Sequence, residues 1–243
     1  MPRSFISGRS CLAVACVVLA ATPLAAPAAH GAARRSYGTA VVRIAAKPVQ
    51  AVLTSAESNA EDIVGFALSG KRAKMVGQTV ALQKAMNPAT RAMLAAAGVP
   101  QATLATLRMR IDHVVSVAPS GSFVTVALAG NAVSQLMPAI YSRFSDPIPP
   151  QVLALDYLER EAQLRSLVHD QSGLASVVSQ LARTWRALQP KVTPTTGGPT
   201  AAATYSAHVT TMQQLAKVAG KPLEKEATRG LELVDGLEKL FTH

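Results

Sequence analysis

His208 is the residue of this chain best placed to do chemistry. It falls within the apolar arc of a helical stripe that runs Tyr205, His208, Val209, Met212, Leu215, Ala216 and Ala219, flanked in projection by Met212 and Leu215. A buried imidazole needs a partner for each nitrogen it withholds from water. If the second half is an up-down bundle with short connections, the level of His208 passes near Asp156 or Glu159, near Trp185 and near Asp235. One imidazole, two or three carboxylates and an indole in a shared layer suggest two chemistries. The first is a site for a divalent metal or a small ligand between facing helices, with His208 as the metal ligand. The second is a structural polar layer, in which a carboxylate satisfies His208 and Trp185 is an ordinary core aromatic. Helical projection favours the second. Asp235 lies about 40° outside its apolar arc, Asp156 faces the polar side, and a lone His is a poor set for zinc, which takes three or four N, S or O ligands.

Other motifs carry less. Gly65 to Arg72 (GFALSGKR) fits a phosphate-cradling GxxxxGK loop up to its last position, where Arg72 stands instead of the Ser or Thr that would reach Mg²⁺. No buried strand precedes it, so a helix end followed by a basic turn is the expected reading. An unadvertised envelope hydrolase is a further alternative, but the chain has no Gly-x-Ser-x-Gly elbow and no His-Glu-x-x-His motif. His169-Asp170 is expected at a helix end, and His113 points opposite its helix's apolar stripe. Cys-x-x-Cys-His, the haem attachment motif, is absent.

The first 33 residues set the compartment. Arg3 and Arg9 form a positive n-region, Cys11 to Leu24 is an apolar run of 14 residues, and a small-residue tail (AAPAAHGAA) follows. That is a cleavable secretory signal peptide, and its apolar run is too short to span a bilayer. The expected location is therefore periplasmic or secreted. Both cysteines, Cys11 and Cys16, fall inside the leader, so the exported chain has no thiolate and no disulfide. Ala13 to Cys16 faintly resembles a lipobox, but the apolar run continues beyond Cys16 and speaks against a lipoprotein. Later apolar runs are read as too short to be transmembrane.

Charge is uneven. Residues 34–150 hold 12 Lys and Arg against 5 Asp and Glu, whereas residues 151–243 hold 10 against 9. A basic half attracts anionic partners. Nucleic acid is not expected, because aromatics are only 4% of residues and export removes the chain from it. An anionic envelope surface is the partner that remains, beside the plainer reading of a soluble basic face.

The elements that position these groups are read as helices throughout. The composition is rich in Ala and Leu, both strong helix formers. Residues 34–47 are a flexible lead-in. Val49, Leu53, Ala56, Ala60, Ile63 and Ala67 form the first stripe, and a second helix follows Ser69-Gly70. Asn87-Pro88 starts a short helix ended by Gly98. Leu104, Leu107, Ile111 and Val114 mark the next. His113–Val117 and Phe123–Leu128, rich in β-branched residues around Pro119-Ser120-Gly121, also suit a hairpin, but longer helical stripes favour helix. Pro138 is expected to kink the following helix. Asp146 to Pro150 (DPIPP) reads as a linker. Beyond it come four helices, with Gln189 to Thr200 as the longest loop. The fold expected is all-α: two tandem, packed antiparallel four-helix bundles, at 48–145 and 151–243, joined by residues 146–150. A similar order of elements leaves an old duplication open. The function expected is a non-catalytic binding or structural role in the bacterial cell envelope, rather than an enzyme.

Overall fold

The computed structural model describes residues 46–242; the leader, most of the lead-in and His243 lie outside the described residues. The signal peptide and lipobox readings therefore fall there too. The described residues belong to one compact unit, and no strand occurs among them.

The chain folds as α1 (Ala46–Leu68), α2 (Arg72–Ala85), α3 (Pro88–Ala96), α4 (Gln101–Val117), α5 (Phe123–Ser134), α6 (Met137–Tyr141), α7 (Pro150–Leu167), α8 (Gln171–Val192), α9 (Gly198–Leu215) and α10 (Lys221–Lys239). Local chemistry explains many of the boundaries. The Asn87 side chain accepts from the Thr90 amide at 3.0 Å with Pro88 in the first turn, Ser122 caps α5 through the Thr125 amide at 3.1 Å, and Asp170 caps α8 through the Gly173 amide at 2.8 Å. Each cap satisfies an amide that the first turn leaves without a helical acceptor. Asn87→Ala is expected to destabilise the protein by about 1 kcal/mol, seen in a thermal melt as a drop of about 2–4 °C.

The segment that also suited a hairpin is helical on both sides of its turn. Arg72 helps to hold that turn: it donates to the carbonyls of Ala118 at 2.8 Å and Gly121 at 2.9 Å, and its guanidinium lies 4.6 Å from the centre of the Phe123 ring. The GxxxxGK resemblance ends here. The amides of Ser69, Gly70 and Lys71 bond to the carbonyls of Gly65, Ala67 and Phe66, closing α1 instead of facing a phosphate. Arg91 and Arg110 likewise donate to main-chain carbonyls, those of Met86 and Ala132. Part of the basic surplus of the first half thus braces loops and helix ends.

Three expectations need adjustment. Pro138 does more than kink a helix: α5 stops at Ser134 and α6 begins at Met137, since proline cannot donate to the preceding turn. The loop read at 189–200 is shorter. α8 runs through Pro190 to Val192, and Gly197, at a φ of 78°, precedes α9. The left-handed region suits a residue without a Cβ. Finally, Phe123–Tyr141 is long and apolar enough, by length and composition, to cross a membrane, contrary to the reading that later apolar runs are too short; half of it is buried within the protein.

Packing separates two apolar cores. One gathers Leu53, Ile63, Met75, Leu107, Val126 and Ile140 with their neighbours. The other gathers Leu155, Leu181, Trp185, Leu188, Tyr205, Met212 and Val234. In the first half α1 packs on α2 and α5, and α4 on the same two helices. In the second, α7 packs on α8 and α10, and α9 on the same two. α3 and α6 have no counterpart among α7–α10. Gly130 lets α1 and α5 approach closely: a Cβ there would lie 2.9 Å from Ile63 Cγ2. α7 serves both cores. Leu155, Leu158, Ala162 and Tyr157 join the second, while Leu164 and Leu153 pack on the first.

Candidate functional site

The polar layer around His208 exists, with a different membership from the one read off the helical levels. α9 places Tyr205 and His208 one turn apart. α7 supplies Glu159, α8 supplies Trp185, and α10 supplies Glu226 and Gly230. His208 Nε2 lies 2.7 Å from Glu159 Oε1, and Nδ1 lies 2.7 Å from Glu226 Oε1. The Tyr205 hydroxyl donates to the same Glu159 oxygen at 2.8 Å. Arg229 closes the chain outward with an ion pair to Glu226 at 3.1 Å. His208 and Glu159 are both 0% exposed.

Trp185 belongs to the layer as an aromatic wall. Its ring centre is 4.7 Å from that of Tyr205, whose own is 5.2 Å from the His208 ring, and its indole N–H donates to Ser206 at 3.0 Å. Glu159 Oε2 is buried without a hydrogen-bond partner. It lies against the backbone of α10 at Gly230, where a Cβ would stand 2.4 Å from it. An absent side chain is therefore what lets Glu159 sit between α9 and α10.

Two assigned residues lie elsewhere. Asp156 turns to the seam between the halves, 2.5 Å from Arg160, which also pairs with Glu61 of α1 at 2.9 Å. Asp235 is exposed on the outside of α10, while Val234 and Leu237 point inward. The level count erred in part because α9 begins at Gly198, inside the stretch read as a loop to Thr200, so His208 lies deeper from that end of the bundle than the count allowed. The level of His208 then meets α10 about two turns earlier, at Glu226. Glu226, Tyr205 as a hydroxyl donor, Arg229 and Gly230 were missed. One clue existed: Glu226 borders the Leu223–Ala227–Gly230 stripe, with a glycine four residues on.

The metal reading does not fit this geometry. The two ring nitrogens point to separate carboxylates, leaving no lone pair directed at a common point, and a metal needs the neutral ring's lone pair. Among the described residues, no three or more His, Cys, Asp or Glu side chains form a group that could hold a metal ion. General-base catalysis by His208 fares no better, because the ring is sealed and both nitrogens are engaged. Asp170, beside His169, caps α8 and pairs with Arg165 at 2.8 Å instead of orienting the imidazole.

The electrostatics of the layer favour bound protons. Burial raises the Glu159 carboxyl above its ordinary value, and the bonds from His208 and Tyr205 only partly offset this. Burial lowers the His208 imidazole, but the hydrogen bonds and charges of Glu159 and then Glu226 reverse the shift, so the net direction is upward. At the seam, Glu57 is pushed up to about 7, first by burial and then by the charge of Glu61. Asp156 is also held up by burial, against the pull of Arg160.

A second, open place lies in the first half. α3 and α4 border a groove of about 580 Å³, floored by Ala92, Ala95, Leu104 and Ala105. Met109 stands at its side, 63% exposed. Arg91 and Arg108 line it together with Asp112, and all three also line an adjoining recess of about 230 Å³. Arg108 and Asp112 approach to 3.5 Å in solvent, a pairing worth little to stability and open to competition from another anion.

No family model matches this chain, and neither a curated protein nor a solved structure matches it.

Proposed function

We propose that this is an exported, non-catalytic protein of the bacterial cell envelope that binds an anionic surface through its first half, and that it is built as two tandem four-helix bundles. The bundle reading is supported by the two closed sets of neighbours, α1-α2-α4-α5 and α7-α8-α9-α10. The observation that carries the binding reading is the α3–α4 groove, where an apolar floor meets the exposed guanidinium of Arg108, with Arg91 beside it already donating to the Met86 carbonyl. Such a groove suits an amphiphile with an anionic head. The polar layer of the second half is closed to solutes and serves the fold.

Vesicle binding tests this. The protein without its leader should bind vesicles containing phosphatidylglycerol and ignore phosphatidylcholine vesicles, and binding should fall steeply as salt shortens the Debye length from about 30 Å to about 3 Å. Arg108→Glu should weaken it about tenfold, since each cation near an anionic surface contributes on the order of 1 kcal/mol. Equal binding to both vesicle types, or insensitivity to salt, would refute the reading. Export is checked by the mass of the protein in the envelope fraction: an intact Met1–Leu24 segment there would contradict the leader.

A further inference from the structure

We infer that Glu159, His208 and Glu226 form a buried proton-binding site, a latch that clasps α9 between α7 and α10 while the proton is held and loosens α10 when it leaves.

The geometry requires the proton. Both ring nitrogens lie 2.7 Å from a carboxylate oxygen. A neutral imidazole has one N–H and one lone pair. It can donate to one carboxylate, but its lone pair would then face the other at contact distance. Both short contacts are satisfied together only when the ring carries two protons or one carboxyl carries the second. The Tyr205 hydroxyl cannot supply it, because it already donates to Glu159 Oε1.

The two sides of the ring are unequal, and this sets how the latch opens. On the Nε2 side Glu159 is sealed at 0% exposure, held by Tyr205 and packed on Gly230. On the Nδ1 side the Glu226 side chain is 14% exposed and pairs with Arg229, itself 51% exposed. The proton therefore leaves from the Nδ1 side. The remaining Nε2–H keeps its bond to Glu159, while Glu226 turns towards Arg229 and water. The tie that breaks is the one between α9 and α10.

The charged and titratable groups facing the ring are Glu159 from α7, Tyr205 from its own helix, and Glu226 and Arg229 from α10; α8 contributes only the neutral Trp185, and Asp156 acts on Tyr205 from further along α7. The upward directions of His208 and Glu159 agree with proton retention. The sign follows. A group whose pKa is raised by folding stabilises fully below its unfolded value and loses that contribution as pH rises through the folded one. For His208 the loss therefore begins above 6.5.

Glu226→Gln separates the latch from other titrating groups. A glutamine amide accepts from a protonated Nδ1 or donates to a bare one, so the neutral ring is satisfied without the extra proton. Melting temperature should fall in the wild type by about 3–5 °C for each pH unit over which only the folded state holds the proton, and Glu226→Gln should be markedly flatter. The contribution from Glu57 at the seam is common to both proteins and cancels in the difference. In the wild type, amide exchange around Glu226 in α10 should also accelerate at alkaline pH. Identical pH slopes in the two proteins overturn the latch. Should the variant fail to fold, NMR of the wild type decides, with the ring nitrogens read for His208 and the carboxyl carbons for Glu159 and Glu226: two ring N–H groups, or one together with a protonated carboxyl, at about pH 7 sustain the proposal, and one N–H with both carboxyls ionised refutes it.

Discussion

Glu159→Ala is expected to lower stability by about 3–5 kcal/mol, a fall in melting temperature of about 10 °C for a chain of this size. Three losses coincide. The His208 ring loses the acceptor at Nε2, the Tyr205 hydroxyl loses the same oxygen, and both remain in a region closed to water. A buried polar group left without a partner forfeits its desolvation free energy, about 1–3 kcal/mol for each. Truncation also opens a void against Gly230, which has no side chain to fill it. Glu159→Gln keeps the shape and one acceptor oxygen, so it should lose about half as much, and its stability should depend less on pH. Urea denaturation of both variants checks this. A Glu159→Ala protein as stable as the wild type would mean that the layer contributes no net stability, as some buried ionic groups do when their removal relieves desolvation.

The same layer shows what could be read from the sequence and where reading stopped. Helix positions were legible because burial follows the 3.6-residue repeat. Leu104, Leu107, Ile111 and Val114 are all buried, as are Leu174, Val178, Leu181, Trp185 and Leu188. His208 sits inside such an arc, and Glu159 could be named as a partner because an up-down bundle brings that part of α7 to about the level of His208. The exact level at which two antiparallel helices meet depends on where each ends. A few residues of uncertainty at the start of α9 and the end of α10 shift the partner on α10 by a turn or more, a large part of what separates Asp235 from Glu226. Arg72, Arg91 and Arg110 were illegible for another reason. A cation beside a turn looks the same in sequence whether it faces a ligand or caps carbonyls, and all three donate to main-chain oxygens. Gly230 was hidden too, since a glycine in a helical stripe signals close approach only once the approaching group is known.

That glycine makes the sharpest prediction. Gly230 and Gly236 lie in the same helix, α10. In a helix interior, Gly→Ala normally stabilises by on the order of 1 kcal/mol, because alanine loses less conformational freedom and shields the backbone. Gly236→Ala should show that gain, since nothing lies within 4 Å of the added methyl. Gly230→Ala should show the reverse. Its Cβ would stand 2.3 Å from Glu159 Cδ and 2.4 and 2.7 Å from the two oxygens. A flexible side chain would simply swing aside, but Glu159 is held by Tyr205 and His208 in a closed core, so moving it breaks both bonds. Overpacking of this kind costs about 1–3 kcal/mol, and the lost hydrogen bonds add to it. The two substitutions, identical in chemistry and six residues apart, should therefore move the urea midpoint in opposite directions. If Gly230→Ala stabilises the protein as Gly236→Ala does, Glu159 is not pinned against α10, and the tie it makes between α7 and α9 is looser than the 2.7 Å contact to His208 implies.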